Sequence, residues 1–69
     1  MRVELFDAYI KHKYGVTITG FEPKDREVEL RAIYDWSVEN FGKDNITRSF
    51  STLYFNKESH RNLFLLMWG

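Results

Sequence analysis

Ile46-Thr47-Arg48-Ser49-Phe50-Ser51-Thr52-Leu53-Tyr54-Phe55, residues 46–55, is the stretch whose reading decides the fold. Thr, aromatic and aliphatic side chains run through it without Gly or Pro, so it reads as one long strand. Upstream, Val16-Thr17-Ile18-Thr19 is β-branched throughout and stops at Gly20, a second, shorter strand. Between the two, Pro23 pre-sets the first turn of a helix over residues 24–41, closed by Gly42. Leu30, Ile33, Tyr34, Ser37, Val38 and Phe41 recur at helical spacing there and form a stripe that must lie on a sheet or another helix. Strand, helix and strand make a βαβ-type unit, whose parallel pair would need a right-handed crossover. The expected fold is therefore α+β: a single small domain over residues 1–69, with a short sheet containing this unit packed against two or three helices.

The two ends complete the expectation. Residues 3–14 read as a first helix, with acidic Glu4 and Asp7 early, Lys11, His12 and Lys13 late, and Gly15 at the stop position. Val3, Phe6, Ile10 and Tyr14 would share its inner face, and a short strand over residues 2–6 is the competing reading. At the other end a polar stretch opens onto six consecutive large apolar residues, Leu63 to Trp68. Residues 57–68 fit either a helix capped by Asn56, with Glu58 in its first turn, or a buried strand returning in a hairpin. No Gly or Pro turn precedes them, which favours the helix. Such a tail must dock, on its own core or between identical chains. The expected core comprises Ile18, Leu30, Ile33, Tyr34, Val38 and Phe41 from the centre, joined by Phe50, Leu53, Leu63, Phe64 and Leu66.

Composition excludes several function classes. Without Cys, disulfides and thiolate metal sites are impossible, and His12 and His60 have no neighbouring ligand pattern. Ten basic residues balance ten acidic ones, which argues against a broad nucleic-acid footprint and raises the prior for association. No apolar window approaches the length of a membrane span and no signal peptide is evident, so a soluble, cytoplasmic protein without membrane contact is expected. Catalytic constellations are also missing. Ser59, His60 and Glu58 are neighbours in sequence, but adjacent helix residues point in different directions and cannot align as a triad. Glu27, Glu29, Asp35 and Glu39 interleave with Lys24, Arg26 and Arg31, the pattern of a solvated helix face. The expectation is a non-enzymatic chain with no catalytic, cofactor-binding or metal-binding residues and no cofactor.

Binding remains. Val28, Ala32 and Trp36 form a second apolar stripe on the central helix, and Trp is enriched at the centres of interfaces, so these three are the protein-binding candidates. The closing pattern of Phe55, Glu58, Leu63, Phe64, Leu66, Trp68 and Gly69 resembles the end of small, uncharacterised proteins of tailed bacteriophages. It covers about a fifth of the chain and departs at Ser59, His60 and Arg61, where those proteins tend to be acidic and small. The resemblance implies a phage accessory protein in the host cytoplasm, acting by protein contact on a host factor or in assembly. The neutral charge and the apolar tail add a homodimer as an alternative partner. The resemblance transfers no site residues. A second likeness is to a shortened RNA-recognition motif, whose third-strand signature is met at Arg48, Phe50, Leu53 and Phe55. Arg48, Phe50 and Tyr54 would then form a platform for single-stranded RNA. The pattern departs at Thr17 and Thr52, which stand where two stacking rings belong, and at Ser49, which replaces a Gly.

Overall fold

The computed structural model describes residues 1–9 and 12–69. Two strands come first, β1 (Arg2–Asp7) and β2 (Tyr14–Thr19), then helix α1 (Arg26–Phe41). A single 3-10 turn (Lys43–Asn45) leads into β3 (Ile46–Ser49) and β4 (Thr52–Phe55), and helix α2 (Glu58–Trp68) closes the chain. The four strands form an antiparallel sheet in the order β1-β2-β4-β3. The fold is α+β, with a four-stranded sheet and two helices in one domain.

The long strand expected over residues 46–55 is instead a hairpin. Ser49 pairs with Thr52, leaving Phe50 and Ser51 as a two-residue loop. Such loops need a positive φ at a central position, normally supplied by Gly or Asn. Phe50 adopts it, at φ 57°. The left-handed conformation costs a non-glycine residue roughly 1–2 kcal/mol. Two contacts offset it: Arg48 Nε donates to the Phe50 carbonyl at 2.8 Å, and the Arg26 guanidinium lies 5.1 Å from the ring centroid. The hairpin also changes the crossover. β2 and β3 run in the same direction, but β4 lies between them, so the expected parallel neighbours never meet.

The helix expected over residues 3–14 is replaced by β1 and the start of β2, close to the competing short strand; Ile10 and Lys11 lie outside the described residues. Pairing explains this outcome. β1 matches β2 along its whole length, from Arg2 opposite Thr19 to Asp7 opposite Tyr14, and this tertiary gain overrides a weak local helix preference. Gly15 is no helix stop but the second residue of β2, paired with Phe6. A Cβ there would lie 2.4 Å from Cζ of Phe6, whose ring occupies that space.

Both helices cover one face of the sheet. Val16, Ile18, Ile46, Leu53 and Phe55 from the strands meet Leu30, Ile33 and Phe41 of α1 and Phe64 of α2. Ser37 sits fully buried within the α1 stripe, satisfied by donating to the Ile33 carbonyl at 2.9 Å. Val16, Ile46 and Phe55 thus join the expected core. Phe50, Leu63 and Leu66 leave it, with exposures of 64%, 53% and 84%, because the hairpin loop and the outer side of α2 turn them to solvent. Tyr34 and Val38 pack at its margin.

Candidate binding groove

The apolar tail forms a helix with two apolar sides. Lys57, not Asn56, precedes α2; Asn56 instead donates through its side chain to Asn45 Oδ1 at 3.3 Å. Phe64 is fully buried, and Trp68, one turn on, packs against the core. Leu63, Leu66 and Met67 fall at i, i+3 and i+4 on the remaining surface and stay exposed.

Arg61, on the inner side of α2, is only 8% exposed. Its Nη1 donates to the Phe6 carbonyl at 3.0 Å and to Asp7 Oδ1 at 3.2 Å, and its guanidinium lies 5.2 Å from the Tyr14 ring centroid. One side chain therefore ties α2 to the β1–β2 hairpin. Sequence reading noted Arg61 only as a departure from the phage pattern. A lone Arg in an otherwise apolar inner stripe was the available signal.

Trp36 leaves its expected stripe and leans onto α2. Its ring stands edge-on to Phe41 at 5.5 Å, to Phe64 at 6.4 Å and to Trp68 at 5.9 Å. Val28, 71% exposed, and Ala32 remain on the solvent side of α1. The three protein-binding candidates are thus divided, with Trp36 alone drawn into a groove between the helices. That groove holds about 330 Å³. Trp36, Asn40, Phe41 and His60 line it, with Leu63, Leu66 and Met67. Asn40 donates to the Trp36 carbonyl at 2.8 Å, so its amide is already partly engaged.

His60 stacks on Phe41, with centroids 4.6 Å apart and planes 14° from parallel. Burial lowers its pKa below the ordinary 6.5, and the positive charge of Lys57 adds to the effect. At neutral pH the imidazole is uncharged, and no lining side chain carries a charge. The Nδ1 of the ring is buried without a hydrogen-bond partner among the described residues. His12 is engaged elsewhere: its Nε2 donates to the Asp44 carbonyl at 3.0 Å, and its Nδ1 meets Thr47 Oγ1 at 2.9 Å. Among the described residues, no group of three or more His, Asp or Glu side chains could hold a metal ion, and no helix is long and apolar enough to cross a membrane.

The RNA-platform candidates do not converge. Arg48 faces the helices and forms a two-oxygen ion pair with Glu27 of α1 at 3.0 and 3.1 Å. Phe50 sits at the hairpin tip. Tyr54 lies on the open face of the sheet, its ring edge-on to Phe6 at 5.7 Å. In one continuous strand the three even-numbered residues would share a face, but the two-residue loop reverses the parity between β3 and β4. Thr17 and Thr52 lie opposite one another, with hydroxyls 3.4 Å apart, where stacking rings would be needed.

No family model matches the chain, and no curated protein or solved structure matches it.

Proposed function

We propose that the chain is a non-catalytic binding module acting by protein contact, as its phage-type ending implies, and that its α1–α2 groove receives the apolar face of a helix from another protein. The observation that carries this reading is the grouping of Leu63, Leu66 and Met67, all more than half exposed, around an uncharged groove with Trp36 at its wall. Isolated exposed apolar residues are ordinary, whereas a contiguous group beside a cavity marks a contact surface. A helix presenting apolar side chains at i, i+3 and i+4 matches such a groove without requiring a charged partner. The single-stranded RNA alternative retains only Tyr54 with Phe6, beside hydroxyls and without its basic residue, and is the less supported reading.

Photo-crosslinking from position 66 in the native host, followed by mass spectrometry, tests the proposal. A defined helical segment of another protein should be captured, and Leu63→Arg, at a second exposed position lining the groove, should abolish capture without lowering the melting temperature. Capture that survives Leu63→Arg, or crosslinks spread over unrelated segments, would refute it.

A further inference from the structure

A second surface, on the sheet edge, follows from hydrogen-bond phase and charge order. Ala8 donates its N–H to the Lys13 carbonyl at 2.7 Å, so residues 8 and 13 form a hydrogen-bonded pair. Alternation along an antiparallel ladder then directs the backbone groups of Phe6, Glu4 and Arg2 toward β2 and turns those of Val3, Leu5 and Asp7 outward. Ile18, opposite Val3, confirms the phase by donating to the Ser51 carbonyl at 2.9 Å, away from β1. β1 is an edge strand, so these outward groups face no strand among the described residues. The strand also lacks the usual edge protections of Pro or a bulge, and Met1 and Leu5 beside it are 55% and 51% exposed.

We propose that this edge pairs with the same edge of a second copy, antiparallel and centred on Val3, to form a continuous eight-stranded sheet. The segment Met1-Arg2-Val3-Glu4-Leu5 is self-complementary about its middle. In this register Met1 faces Leu5 of the second copy on the helix side, so the two exposed apolar residues cover each other. On the open side Arg2 faces Glu4 of the second copy, twice by symmetry, and directly opposed unlike charges stabilise a strand pair. Within one chain these residues already approach at 3.4 Å, but with exposed side chains that contributes little. The other registers that satisfy the outward groups are poorer. Centring on Glu4 sets Glu4 against Glu4, and centring on Leu5 sets Val3 against Asp7 and Glu4 against Phe6. The zero net charge of the chain adds no long-range repulsion between copies.

Sedimentation of the full chain over about a hundredfold range of concentration tests the pairing. The parent should pass from monomer to dimer. Glu4→Arg, at an exposed position, should weaken the dimer at least about tenfold by opposing like charges, and the double swap R2E/E4R should restore it. The absence of Cys permits a test of register: Val3→Cys should form a disulfide with itself across the axis, whereas Leu5→Cys should not. A monomer at every concentration, a double swap that stays monomeric, or self-crosslinking of Leu5→Cys or Leu66→Cys in place of Val3→Cys would overturn the proposal.

Discussion

Replacing Arg61 with Ala should destabilise the domain more than any other change on α2 outside its core-facing rings. The side chain makes a charge-assisted bond to the Phe6 carbonyl and another to Asp7, and lies over the Tyr14 ring. Bonds to charged groups contribute roughly 1.5–3 kcal/mol, and loss of the buried stem adds roughly 1 kcal/mol more. Asp7 is more than half exposed and can be rehydrated, so the full penalty for breaking a buried ion pair does not apply. The expected loss is about 2–4 kcal/mol, from a total of about 3.5–10 kcal/mol for a chain of this length. Arg61→Met, which keeps the stem and removes the charge, should cost about half as much. Urea unfolding followed by Trp fluorescence gives both values, and hydrogen exchange should show β1 amides losing protection first. An Arg61→Ala variant within about 0.5 kcal/mol of the parent would show that α2 is held by Phe64 and Trp68 alone, and the argument would fail.

Leu30→Ala, at a site 3% exposed, should cost roughly 2–5 kcal/mol, whereas Leu66→Ala, 84% exposed, should change stability by less than about 0.5 kcal/mol; comparable losses in urea unfolding would contradict the assigned orientation of α2. His60 has a lowered folded-state pKa, so the unfolded chain binds its proton first, and stability should fall as pH drops below 6.5 toward the folded-state value. His60→Phe should lose less stability than the parent between about pH 7.5 and about pH 5.5, and identical losses would remove this assignment. Gly15→Ala must displace the Phe6 ring and should cost roughly 1–3 kcal/mol, with Tyr54 losing its edge-on neighbour; an unshifted Tyr54 ring signal in NMR spectra would argue against that packing.

The central helix was legible because its stripe from Leu30 to Phe41 has one period and clear ends, and the tail helix because Asn56 to Lys57 offers no turn. The sheet was harder to read. Phe50 carries no sign of a turn, since its left-handed backbone is tolerated through the bond from Arg48 and through Arg26, which only the folded chain brings near. That one residue hid a hairpin, reversed the parity of Tyr54 relative to Arg48, and made a dispersed set of side chains look like a platform. β1 was masked by coincidence: Val3, Phe6, Ile10 and Tyr14 satisfy helical spacing, while the strand that forms uses Val3 and Leu5 on one face and Glu4 and Phe6 on the other. The groove was missed for a different reason. Leu63, Phe64 and Leu66 were all expected in the core, although a helix can turn only part of its circumference to a sheet.

The two proposed surfaces draw on different physics, and salt separates them. Pairing through β1 places four charges, Arg2 and Glu4 from each copy, on an exposed sheet face, where added salt screens the attraction over roughly 8 Å at physiological ionic strength and less above it. Contact through Leu63, Leu66 and Met67 places no charge in the groove, and its apolar burial is strengthened by excluded salts such as sulfate. Raising sodium chloride from about 0.05 to about 0.5 M should therefore weaken self-association of the parent severalfold and leave capture at position 66 unchanged. R2E/E4R should show the parent's salt dependence, because the swap preserves the pairs while exchanging their ends. Self-association that strengthens with sulfate and ignores chloride would instead place two copies groove to groove through α2, and β1 would be left as an unpaired edge.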